Sequence, residues 1–119
     1  MKINIPGVDE KRGLDLFEGD IDTYISILRS YVSSMPGSLD SIRSVSGEKL
    51  KEYTISVHGI KSISDAIGAE EARKTAKQLE DLAKSGDLAG VLARNSAFVK
   101  YAEKLVEDIQ AWLEKNAGE

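Results

Sequence analysis

No proline follows Pro36 in this 119-residue chain, and from Ile21 onward the apolar residues recur at spacings of three and four. These two facts constrain the fold more than anything else in the sequence. Strands would alternate apolar and polar residues with a period of two, bounded by Gly, Pro and Asn. No such alternation occurs, nor any internal repeat or low-complexity tract. Helices remain. Ile21, Tyr24, Ile25, Leu28, Tyr31 and Val32 form one stripe, and Leu50, Tyr53, Val57, Ile60, Ser64 and Ile67 a second. Ala69, Ala72, Ala76, Leu79 and Ala83 form a third, whose small side chains permit a close neighbour. Leu88, Val91, Leu92, Phe98, Tyr101, Ala102, Leu105, Ile109, Trp112 and Leu113 continue the pattern to the end of a long last helix.

Capping residues divide these stripes. Asp9 is placed to cap a short helix to about Phe17, and Asp20, after Glu18-Gly19, to cap the next. That second helix should run to about Ser34. Met35-Pro36-Gly37 reads as a break or sharp kink, because proline disfavours helix at the residue before it. Ser38 then restarts a helix over Leu39, Ile42 and Val45, which Ser46-Gly47 ends. The central helix is expected over 48–66, with Gly68 at the C-terminal cap. Helices over 69–84 and from Leu88 to about Lys115 follow, separated by Ser85-Gly86-Asp87. Residues 1–8 read as an extended lead-in offering Ile3, Ile5 and Val8, and 116–119 as a frayed tail. With loops this short, the expected fold is all-α: an up-and-down four-helix bundle with an additional short N-terminal helix, one domain over 1–119.

Composition excludes several classes of function. The net charge of −4 provides no basic face for nucleic acid. The chain has no cysteine, which removes disulfides and thiol chemistry. MKINIPGVDE is too polar for a signal peptide, and no run approaches the ~18 apolar residues of a membrane span. A cytoplasmic globular domain is expected. The glycines at 7, 13, 19, 37 and 47 are turn punctuation and form no phosphate-cradling loop, so no nucleotide site is expected.

The single histidine, His58, lies within YTISVHGIKSISDAIGA at 53–69. At about 100° per residue it points away from the stripe of Tyr53, Val57 and Ile60. Ile55, Gly59, Ser62 and Ala66 share its side of the helix, and Lys61 sits one turn on. One histidine without cysteine is a poor zinc site, which wants about four such ligands. A Ser-His-Asp arrangement would need an acid orienting the ring in a pocket, whereas Asp65 is two turns away and expected at the surface. A neutral imidazole outside the core is, however, a good phosphoryl acceptor.

HGIKSISDAIGA resembles the motif of the histidine phosphotransfer (HPt) domain family, His-x-Leu-Lys-Gly followed by a short stretch ending in Gly-Ala. The resemblance extends through IPGVDEKRGLDLFEGDIDTYISILRSYV at 5–32 and LEDLAKSGD at 79–87, and so covers most of the chain. Ile60 stands for the usual Leu, and Ser62 for the usual Gly. The resemblance implies a phosphorelay carrier rather than an enzyme. His58 would take a phosphoryl group from a receiver-domain aspartyl phosphate, or from a histidine or hybrid kinase, and pass it to a response-regulator receiver domain. Lys61 and Lys84 would neighbour the phosphate, and Glu80 would accept from the inner ring nitrogen. Read from the sequence alone, Glu80 and Lys84 also fit a solvated i,i+4 pair. Ile55, Gly59, Ser62 and Ala66 would be the docking surface, unless residues 1–20 cover it. The resemblance implies a monomer without a cofactor, any divalent metal belonging to the partner receiver. The alternative is a degenerate family member, a docking module that binds a receiver or kinase without carrying phosphate. Retention of both His58 and Lys61 argues against it.

Overall fold

A computed structural model describes residues 3–116, and all regular structure among them is helical. The elements are α1 (Glu10–Leu16), α2 (Ile21–Ile42), a 3₁₀ turn (Gly47–Lys49), α3 (Leu50–Ala66), α4 (Glu70–Lys84) and α5 (Leu88–Asn116). A helix leaves its first backbone N–H groups without partners, and short acidic side chains satisfy them here. Asp9 accepts from the Arg12 N–H at 3.2 Å, and Asp20 from that of Thr23 at 3.3 Å. The expected lead-in and tail extend to residues 1–2 and 117–119, which lie outside the described residues. Asn116, expected in the tail, is still helical, its amide donating to the Trp112 carbonyl at 3.0 Å.

The expected end of the second helix at Ser34, the break at Pro36 and the restart at Ser38 are corrected by the structure. α2 passes through Pro36 without interruption and ends at Ile42. Proline in a helix interior costs about 3 kcal/mol. Past it, Leu39 and Ile42 are buried, as is Met35 just before it. Each such side chain contributes about 1.5–3 kcal/mol on burial, so packing outweighs the local penalty. Pro36 and Gly37 themselves are exposed.

α3 packs along α4, α4 along α5, α5 along α2 and α2 along α3, a closed cycle around one core, while α1 lies against α2 and α3. The central stripe is placed as expected: Tyr53, Val57, Ile60, Ser64 and Ile67 are buried, and Leu50 partly so. In α5, Leu92 and Tyr101 are exposed although their spacing suggested the core. Val91, Asn95, Phe98, Ala102, Leu105, Ile109 and Trp112, alternately four and three apart, hold the buried line. Leu92 and Tyr101 each sit about 100° off it.

Polar groups in this core are paired. The Tyr24 hydroxyl donates to the Ile67 carbonyl at 2.7 Å, and those of Tyr31 and Ser64 lie 2.9 Å apart. The Tyr53 hydroxyl donates to Asn95 Oδ1 at 2.7 Å, and Asn95 Nδ2 donates to the Ile42 carbonyl at 2.7 Å. Burial pushes the Tyr31 phenol up to about 12, so it stays neutral and available as a donor.

Candidate functional site

The site begins with the turn that folds α4 back on α3. Gly68 adopts φ +78°, a left-handed conformation that a side chain resists. The Gly68 N–H donates to the Asp65 carbonyl at 3.1 Å and the Ala69 N–H to that of Ser64 at 2.9 Å, a Schellman closure. A Cβ on Gly68 would also strike the backbone oxygen of Asp9, so only glycine admits the N-terminal segment here. The two helices then run side by side. His58 and Glu80 lie equally far in sequence from Ala69, on either side of it, and therefore meet.

Glu80 is the centre of the cluster. Its side chain is only 3% exposed, and three donors converge on it. Oε2 lies 2.6 Å from His58 Nδ1, Oε1 2.7 Å from Lys61 Nζ, and Oε2 3.3 Å from Lys84 Nζ. The reading of Glu80 as half of a solvated pair is therefore corrected: the Lys84 partner is at the surface, but the carboxylate is buried. Burial pushes the Glu80 carboxyl up, yet hydrogen bonds from Lys61, His58 and Lys84 more than offset it and hold the group at about 2.

Three donors converging on one carboxylate keep it ionised, and that assigns the imidazole protons. A carboxylate ionised at neutral pH only accepts, so the nitrogen facing it must carry hydrogen. Nδ1 is thus the donor, and in the neutral ring Nε2 holds the lone pair. Nε2 has no protein partner among the described residues, and the His58 side chain is 55% exposed.

Around the ring, Ile55 is 68% exposed and Gly59 and Ser62 are open, while Ala66 is half-buried. The Ser62 hydroxyl donates back to the His58 carbonyl at 3.2 Å, which turns it along its own helix. The N-terminal helix does not cover this face. It packs at the far end of the hairpin, where Arg12 Nη2 meets Asp65 Oδ1 at 2.9 Å and Arg12 Nε meets Glu70 Oε2 at 3.4 Å. Asp65, expected free at the surface, is half-buried in this pairing and takes no part in orienting His58.

The structure therefore brings His58, Lys61, Glu80 and Lys84 together, with Ile55, Gly59 and Ser62 around them. What periodicity alone missed was the burial of Glu80. Its position opposite His58 about the Gly68-Ala69 turn is the signal that finds it. Among the described residues no cluster of three or more His, Cys, Asp or Glu side chains could hold a metal ion, and no helix is long and apolar enough to cross a membrane. Compared with protein-family models, curated proteins and solved structures, the chain has no match.

Proposed function

We propose that this protein is a histidine-containing phosphocarrier of a two-component phosphorelay, with His58 as the phosphoryl acceptor. One observation carries the reading: the buried Glu80 carboxylate lies against Nδ1, while Nε2 has no protein partner among the described residues. In the transfer, the Nε2 lone pair attacks phosphorus of an aspartyl phosphate. The Nε2–P bond forms as the P–O bond breaks, and the donor's carboxylate leaves. The ring then carries positive charge, and its Nδ1–H is already donated to Glu80. Such a reaction needs positioning and charge neutralisation more than covalent assistance from the protein. Lys61 and Lys84 supply cations at the site.

Under this reading α2–α5 form an up-and-down four-helix bundle with α1 appended, supported by their cyclic packing. The partners are response-regulator receiver domains and a histidine or hybrid kinase, docking over Ile55, Gly59 and Ser62. The carrier is a cytoplasmic monomer, lacks catalysis of its own and needs no cofactor. The test is phosphotransfer from a phosphorylated receiver domain, read by intact mass. Wild type should gain one acid-labile phosphoryl group and His58→Gln none, with the helical content of both unchanged. Equal labelling of the variant overturns the assignment of His58.

A further inference from the structure

The His58 cluster occupies the α3 side of α4. On the α5 side of α4 lies a groove of about 350 Å³, lined along α5 by Ala93, Ala97 and Tyr101. Arg94 of α5 stands at one end of it and Glu71 of α4 at the other. Glu71 and Tyr101 are equally far in sequence from Gly86, on either side of the α4–α5 turn, and so share one height. Burial, and after it the Glu71 carboxylate, pushes the Tyr101 phenol up, in keeping with that closeness. Arg94 is two turns back along α5, about 10 Å nearer the turn. Among the described residues neither Glu71 nor Arg94 makes an ion pair or a side-chain hydrogen bond. Tyr101 is 37% exposed, and Ala93, just over two turns from it, leaves an open notch.

One symmetry operation satisfies all four of these residues. A two-fold axis at Ala97, perpendicular to α5, sets a second α5 antiparallel to the first. Position 93 then faces position 101 of the second copy, and Arg94 comes to the height of that copy's Glu71. Each Tyr101 ring fills the notch over the opposite Ala93, and each free cation meets a free anion. Ala97 crosses its own copy at the axis, where a small side chain lets the helices close. A two-fold contact requires self-complementarity of this sort.

We propose that the α4–α5 groove is a self-association surface, occupied by the same groove of a second copy of this chain. A helix of another protein could fill the notch, but this chain itself carries the acid, the base and the aromatic ring at the matching spacing. Stable interfaces take roughly 20–30 residues a side, and this groove offers far fewer. The pair is therefore transient, and the single chain is the unit present at low concentration. His58 stays outside the contact, so the pairing does not rest on the phosphocarrier reading.

The experiment is sedimentation equilibrium of the full chain from about 0.02 to 2 mM, the range in which so small a contact is read. The weight-average mass of wild type should climb from 13.0 kDa towards twice that value. Arg94→Glu and Glu71→Arg each place like charges across the axis, and each alone should stay at the mass of one chain. An equimolar mixture of the two should pair again, because every contact across the axis then joins opposite charges. The double variant should pair as wild type does, and Ala93→Trp, which fills the notch, should not. His58→Gln should pair normally, whatever phosphoryl uptake shows. A wild-type mass that stays at one chain overturns the proposal and leaves the groove to a different protein. Association that survives both single charge reversals, or that grows beyond two chains, overturns the two-fold contact. Single variants that fail to pair when mixed, with helical content unchanged, overturn the pairing of Arg94 with Glu71.

Discussion

Two clusters of charge join α3 to α4, and they differ in every respect that matters for charge. Near the turn, Arg12 and Arg73 pair with Asp65 and Glu70, all between a quarter and a half exposed. Farther along the hairpin, His58, Lys61 and Lys84 surround one buried carboxylate. Arginine presents a rigid planar fork that suits a permanent fastening. Lysine is a compact charge on a flexible stem, able to change partners. Exposed pairs are individually worth about 0–1 kcal/mol, whereas a charge buried without its partner costs several. The arginine cluster thus decorates a joint that backbone contacts already make, and the lysine cluster holds a charge that nothing else would tolerate.

The comparison can be broken most forcefully at Gly68. Its left-handed φ and its contact with the Asp9 carbonyl make it the true fastening of α1. Gly68→Ala should lose roughly 2–4 kcal/mol in urea unfolding. A loss under about 1 kcal/mol would show that the arginines, not the backbone, hold that end.

Next comes Lys61→Met, expected to cost about 2 kcal/mol by leaving Glu80 short of its counter-charge, a value below that of a fully buried pair because Lys84 remains. The pH dependence sharpens this. Glu80 is depressed to about 2 from its ordinary 4.5, so the stability it contributes is present above pH 4.5 and is lost as pH falls towards 2. Urea midpoints between pH 6 and pH 2 should fall less steeply for Glu80→Gln than for wild type. Parallel slopes would mean that Glu80 is not held down by its three donors.

The smallest effect should come from Arg12→Ala, a slight fall in the urea midpoint that shrinks further with added salt. A larger, salt-independent loss would erase the distinction between the two clusters.

Much of this architecture can be read from local chemistry. Asp9, Asp20 and Gly68 mark helix ends because each satisfies orphan backbone groups by a mechanism that depends on a few neighbouring residues. Pro36 misleads for the complementary reason: its penalty is local, while the burial of Met35, Leu39 and Ile42 that overrides it is tertiary. In the same way, Glu80 and Lys84 have the spacing of a surface pair, and only the return of α4 along α3 puts the carboxylate out of water. The assembly of His58, Lys61, Glu80 and Lys84 was legible as positions, but not the unequal hold that Glu80 has on the two lysines. That depends on which carboxylate oxygen each ammonium reaches and on how deep it lies.

Asn95 has a consequence of another kind. Its one amide ties the last residue of α2, a tyrosine of α3 and the N-terminal third of α5 together. An apolar seam tolerates sliding, since one leucine replaces another a turn away. If α5 shifted by one turn, about 5.4 Å, the Ile42 carbonyl and the Tyr53 hydroxyl would face hydrocarbon, and the amide would be stranded among apolar groups. Asn95 therefore acts as an index pin, making one longitudinal setting of the longest helix far cheaper than its neighbours.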